Sequence, residues 1–147
     1  TPSGPLELLC AIPRQTLSPP SQRRPALFFA HGGFGCAEVW ISDMQFFAER
    51  GYACYAVSYR GHGRSWYPGF WQMYFTGRHA MAGDLAAGVR EVEKLEGERK
   101  ASGQDERVGV VLVAHSAGGA LAQYALSRSL IKVHAFCLFA GVPGFGS

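Results

Sequence analysis

Apolar residues in this chain fall into a few short, nearly unbroken runs, and between the runs they recur every three or four positions. The runs are Ala26 to Ala30, Tyr52 to Tyr59, Val108 to Ala114 and Val133 to Ala140, each followed within a few residues by glycine. Runs of this length without polar alternation predict strands buried on both faces. Helical spacing lies between them. Trp40, Met44 and Phe47 at i, i+4 and i+7 predict a helix over 37–50, stopped by Gly51. Met81, Leu85, Val89, Val92 and Leu95 mark the buried stripe of a second helix, with Arg90, Glu91, Glu93 and Lys94 on its solvated face. A third, built of Ala, Gly and Leu, runs from Ala117 to about Ser129 and is small enough to pack close to a sheet. The polar stretch from Gly97 to Arg107 reads as an exposed connection, and the segment around Trp66 to Phe75 as an aromatic loop.

Strands alternating with helices predict an α/β fold, a mostly parallel sheet flanked by helices on both faces, with right-handed crossovers. Residues 1–25 are rich in proline and serine and form a loop-rich segment whose apolar run, Leu6 to Ile12, is a candidate edge strand. Residues 26–147 form the core domain. In such sheets, binding and catalytic groups gather at the carboxyl ends of the strands. Three unusual loops fall there: His31–Gly35, Gly61–Ser65 and Ser116–Gly119.

Composition narrows the classes of function. The chain has 147 residues, enough for one domain, and its 48% hydrophobic content suffices for a core. The net charge of +3 is small and the basic residues are scattered, which argues against a nucleic-acid partner. No apolar run approaches the roughly 20 residues that span a bilayer. Cys10, Cys36, Cys54 and Cys137 lack metal-ligand spacing, so no metal is expected. Cys54 and Cys137 lie in strand-like runs and read as buried free thiols, which together with the lack of a leader favours a cytoplasmic setting. The chain begins with Thr1, so a targeting segment could precede it.

The sharpest chemical signal is Val113-Ala114-His115-Ser116-Ala117-Gly118-Gly119. A serine placed where an apolar strand meets a small-residue helix has its hydroxyl lifted off the end of the sheet. The segment resembles the nucleophile elbow, G-x-S-x-G, of the α/β-hydrolase family, with Ala114 in place of the first glycine. His31-Gly32-Gly33-Phe34-Gly35 resembles the oxyanion loop of the same family, and Tyr59-Arg60-Gly61-His62-Gly63-Arg64-Ser65 its R-G-x-G-x-S turn. The resemblance spans roughly Leu27 to Gly141, the N-terminal part of the fold. It implies Ser116 as nucleophile, with the backbone N–H of Ala117 and that of Gly33, or secondarily Phe34, as oxyanion donors. The implied reaction is acyl transfer from an ester, less readily an amide, of a small apolar substrate, with no cofactor. A serine at the elbow argues against the family's haloalkane dehalogenases, which place aspartate there.

The triad's acid and base follow later strands in the family, and neither can be carried onto this chain. Among the histidines, His115 is expected to pack, His134 to lie at the opposite rim, His31 and His62 to order their loops, and His79 alone to face the active rim. Asp84 reads as a helix-dipole partner and Asp43 as an outer-face residue. Trp66, Phe70 and Trp71 read as core packing or as the wall of an apolar acyl or alcohol pocket. The rival class is a non-catalytic or truncated member that binds a small apolar ligand or partner. The glycines of the His31 loop lack the third glycine and acidic residue of a dinucleotide site.

Overall fold

The computed structural model describes residues 3–13, 24–100 and 109–143. Among the described residues five strands form one sheet: β1 (Leu8–Ala11), β2 (Ala26–Ala30), β3 (Cys54–Val57), β4 (Val110–His115) and β5 (Ala135–Phe139), in the order β1-β3-β2-β4-β5. All neighbours are parallel except β1, which runs antiparallel along β3 at one edge. The helices are α1 (Ile41–Ala48), led in by a 3₁₀ turn over Ala37–Trp40, then α2 (Phe70–Tyr74), α3 (Arg78–Lys100) and α4 (Ala117–Ser127).

The period of two along β2 divides the core. Ala26, Phe28 and Ala30 face α3 and α4 together with Tyr55, Val57, Leu112, Leu85, Val89 and Ala122. Leu27 and Phe29 face the other way, with Cys54, Ala56 and Met44 of α1. Helices therefore cover both faces, as the unbroken apolar runs require. Trp40 and Phe47 border that second cluster, with the Trp40 ring 5.1 Å and the Phe47 ring 6.3 Å from Phe29.

Several elements differ from the sequence expectation. The stretch beginning at Gly97 is not a connection: α3 continues to Lys100. Its polar residues form helical pairs, Glu91–Lys94 at 3.7 Å, Lys94–Glu98 at 4.0 Å and Glu96–Arg99 at 2.7 Å, and the Tyr55 hydroxyl donates to Glu96 at 2.5 Å. A wholly polar turn is a solvated helix end as readily as a loop. The rest of that connection, and Val108 as the first residue of β4, lie outside the described residues. β3 spans only Cys54–Val57, although the Ser58 N–H continues the rungs toward β1 by donating to the Glu7 carbonyl at 3.0 Å. Within the aromatic loop, Phe70–Tyr74 form a short helix. Cys137 is exposed, not buried, because β5 is an edge strand carrying little cover among the described residues; Cys54 is buried as expected.

Candidate active site

The loops that leave β3, β2 and β4 are adjacent because those strands are adjacent. Ala30 is in register with both Val57 and Ala114, so all three loops begin at one level of the rim. Ser116 follows β4 directly and caps α4 with φ 52° and ψ −122°. A non-glycine residue held at positive φ costs on the order of 1–3 kcal/mol and persists only where its surroundings hold it. Here the Ser116 N–H donates to the Phe139 carbonyl at 3.0 Å, and its own carbonyl accepts from Gly119 N–H at 2.9 Å.

The His31 loop is packed against this elbow. A Cβ added to Gly32 would stand 3.3 Å from Ser116 Cβ and 3.2 Å from His115 Nδ1; one added to Gly33 would stand 3.7 Å from Ala117 Cβ. Gly118 is needed for the approach, since a Cβ there would collide with the His31 carbonyl oxygen and lie 2.8 Å from that of Ala30. Ala114, in the position of the family's first glycine, is fully buried in the core. Ala117 opens α4, so its N–H has no acceptor within the helix and sits at the positive end of the helix dipole.

His31 orients the neighbouring amide. It is fully buried, with Nε2 accepting from Tyr59 N–H at 3.2 Å and Nδ1 facing the Gly32 carbonyl at 2.6 Å. An acceptor at Nε2 leaves the proton on Nδ1, so Nδ1–H donates to Gly32. Burial lowers the imidazole pKa to about 4; the Gly32 hydrogen bond opposes that and the neighbouring His62 adds to it. The same Gly32 carbonyl accepts from Gly35 N–H at 3.2 Å. A trans peptide is planar, so fixing the Gly32 carbonyl fixes the Gly33 N–H in the opposite direction.

The Gly61–Ser65 turn is tied down from two sides. Asp84, buried in α3, accepts from Arg60 Nε and Arg60 Nη2 at 2.7 Å each and from Arg60 N–H at 3.1 Å. It is thus the partner of a buried arginine and no helix-dipole residue. Glu7 takes the Ser58 hydroxyl at 2.7 Å and Arg64 N–H at 3.1 Å, while its own N–H donates to Ser65 Oγ at 2.9 Å. Sequence reasoning passed over Glu7; a lone carboxylate in the apolar run Leu6 to Ile12 was the available signal.

A cavity of 290 Å³ opens beside the elbow, walled by Gly32, Gly33, Ala117, Leu121, Met81 and Arg78. Trp66, Phe70 and Trp71 do not line it. Trp66 is half-buried, with the Arg60 guanidinium 5.7 Å from its ring. Phe70 and Trp71 are 73% and 68% exposed and stack on Tyr74 and Phe75, because α2 is too short to carry its rings under a neighbouring element. The Phe34 side chain is also fully exposed. Among the described residues no histidine or carboxylate is hydrogen-bonded to Ser116. His79 stands 3.4 Å from the Tyr124 hydroxyl; His115 is exposed, not packed away; His134, before β5, donates its N–H to Val110 at the opposite rim. No group of three or more metal-ligating side chains occurs among the described residues, and none of their helices is long and apolar enough to cross a membrane.

A parallel sheet with its serine elbow set against a glycine bend is the arrangement of a hydrolase fold. Residues 27–147 match the sequence pattern of the alpha/beta hydrolase family, and the chain belongs to that family. No curated protein matches the chain. Among solved structures, an epoxide hydrolase from Vigna radiata is 22% identical with a TM-score of 0.63, over 90% of this chain and 34% of its own. Esterase 2 of Thermogutta terrifontis, phosphonylated by cyclosarin, is 23% identical with a TM-score of 0.65, over 93% of this chain and 52% of its own. A probable hydrolytic enzyme from Pseudomonas aeruginosa PAO1 is 23% identical with a TM-score of 0.64, over 93% and 37%. The chain therefore spans between about a third and a half of the length of these proteins. Likeness at this level establishes the fold.

Proposed function

We propose that this chain carries the nucleophile and oxyanion hole of a serine hydrolase that cleaves an ester of a small apolar acid or alcohol. The observation that supports it is the contact of Gly32 with Ser116, at an elbow strained to φ 52°. Ser116 Oγ attacks the ester carbonyl carbon, and the carbonyl oxygen takes up the negative charge. The N–H groups of Ala117 and Gly33, with Phe34 second, receive that oxyanion; one such donor is worth about 2.7–4 kcal/mol. Collapse of the intermediate breaks the bond to the alcohol and leaves an acyl-serine, which water then cleaves to acid and free Ser116. The proton from Ser116 passes to a histidine backed by an acid; the family resemblance implies that both follow later strands, and neither is assigned to a residue of this chain. The apolar walls Met81 and Leu121 suit a small acyl group, with Arg78 at the margin.

A fluorophosphonate probe tests this on the chain and on any longer product that contains it, with Ser116→Ala as the control. The expected result is phosphonylation of Ser116, slow in the chain and fast once the histidine and acid are present. Equal labelling of Ser116→Ala, or none in either form, overturns the proposal and leaves a fold that binds without catalysis. That one structural neighbour is an esterase in phosphonylated form makes the probe a natural choice.

A further inference from the structure

His62 has both ring nitrogens against carbonyl oxygens. Nδ1 is 2.9 Å from the carbonyl of Arg60, in its own turn, and Nε2 is 3.1 Å from the carbonyl of Gly33, in the His31 loop. Neutral imidazole carries one N–H and one lone pair, so it can satisfy only one of the two; the imidazolium donates to both. We propose that His62 is a positioning residue for the oxyanion loop and that its grip on Gly33 exists only while the ring is protonated. This rests on the serine-hydrolase reading for its consequence, but not for the grip itself.

The geometry assigns the contact that is lost. The Arg60 carbonyl is the nearer acceptor and lies two residues away, so the single proton of the neutral ring stays on Nδ1. Nε2 then turns a lone pair toward the Gly33 oxygen, which repels it. The Gly33 carbonyl shares a planar unit with the Phe34 N–H, so releasing one re-aims the other. The two amides of the loop are therefore held differently. His31, sealed in the core, fixes the Gly33 N–H at any pH above about 4. His62, half-buried at the cavity margin, fixes the Phe34 N–H only in its charged form.

The charged and titratable groups around His62 come from the His31 loop, its own turn, α3 and α4. The His31 ring, 5.1 Å away, is neutral. The Tyr59 ring is 6.5 Å away, and burial with Asp84 nearby pushes its phenol well above the usual range. The Arg60 guanidinium is matched by Asp84. Arg64 in the same turn reaches Glu7 and Glu38 at 3.8 and 3.9 Å. Across the cavity, Arg78 and Tyr124 contribute from α3 and α4, with the Arg78 guanidinium 5.2 Å from the Tyr124 ring.

The test is a pH titration of the ¹⁵N-labelled chain by NMR between about pH 5 and 8, the range in which imidazole changes charge. Long-range ¹H–¹⁵N correlations report which ring nitrogen of His62 carries a proton, and the Phe34 amide reports the Gly33 carbonyl. Protons on both nitrogens in acid, loss of the Nε2 proton on raising the pH, and a Phe34 amide that moves with the same midpoint are expected. A Phe34 amide that ignores the His62 titration, or a neutral ring that keeps its proton on Nε2, overturns the proposal. The second arm is fluorophosphonate labelling of Ser116 in the wild type and in His62→Gln, which cannot gain charge. Loss of one charge-assisted hydrogen bond should make the wild-type to variant rate ratio fall roughly three- to tenfold from acid to base. A coupled Phe34 titration without any labelling of Ser116 removes the serine reading and leaves the grip standing. If His62→Gln fails to fold, the wild-type titration decides alone.

Discussion

Gly118→Ala is the most direct probe of how the Ser116 elbow meets the His31 loop. The methyl group would be driven into the His31 carbonyl oxygen, 2.8 Å from the Ala30 carbonyl oxygen and 3.0 Å from the His31 carbonyl carbon. A carbon and a carbonyl oxygen rest about 3.3–3.6 Å apart, so α4 and the end of β2 must separate by roughly 1 Å. Neither side yields easily: all the opposing atoms are backbone, at the exit of a central strand. Overpacking a core costs typically 1–3 kcal/mol, and rigid partners put this site at about 3 kcal/mol. For a chain of this length that lowers Tm by about 10 °C. Gly83→Ala is the matched control, since nothing lies within 4 Å of a Cβ at that position of α3. There the same substitution should stabilise by about 0.5–1 kcal/mol through helix propensity. Thermal unfolding followed by circular dichroism reads both. A Gly118→Ala melting point within about 2 °C of the wild type, or a Gly83→Ala that falls in parallel, would refute the close-approach argument. Displacement of the elbow should also slow fluorophosphonate labelling by about 100-fold, the scale set by a 1 Å misplacement.

Two further outcomes are expected. Asp84→Asn leaves the Arg60 guanidinium, whose side chain is 10% exposed, without its counter-charge, and should destabilise by about 3–5 kcal/mol, read as a lower urea midpoint at unchanged slope. An Arg60→Met/Asp84→Leu pair should cost less than Asp84→Asn alone, and the opposite order would show that the ion pair itself stabilises. For pH dependence, the folded protein holds His31 neutral down to about pH 4, against 6.5 for a free imidazole. The unfolded chain binds a proton first, so this contribution is complete above about 6.5, declines as the pH falls toward 4 and is gone below it. Its size is on the order of 3 kcal/mol. Urea unfolding at a series of pH values should show the decline in the wild type and a smaller one in His31→Gln; identical curves would contradict the buried-neutral assignment.

Much of this molecule can be read from one dimension, because strands buried on both faces, helical stripes and glycine turns are short-range patterns. The core strands, the helix over Met81 to Leu95 and the elbow around Ser116 are where those patterns put them. Errors arose where local composition has two solutions. A polar stretch such as Gly97–Lys100 can be helix or loop, and a dense aromatic segment such as Trp66–Phe75 can be buried or bare. Propensity does not settle either; the neighbours do.

The sequence by itself determined the nucleophile candidate, the glycine bend and the alternation that makes a parallel sheet. Only the tertiary structure decided that β3, β2 and β4 lie side by side, that Asp84 belongs to Arg60, that Glu7 gathers the Gly61–Ser65 turn, and that both nitrogens of His62 meet carbonyls. The physical reason is range. Periodicity and turn chemistry are settled within one turn of the chain, whereas strand order and the protonation of a buried ring depend on groups brought together from distant segments.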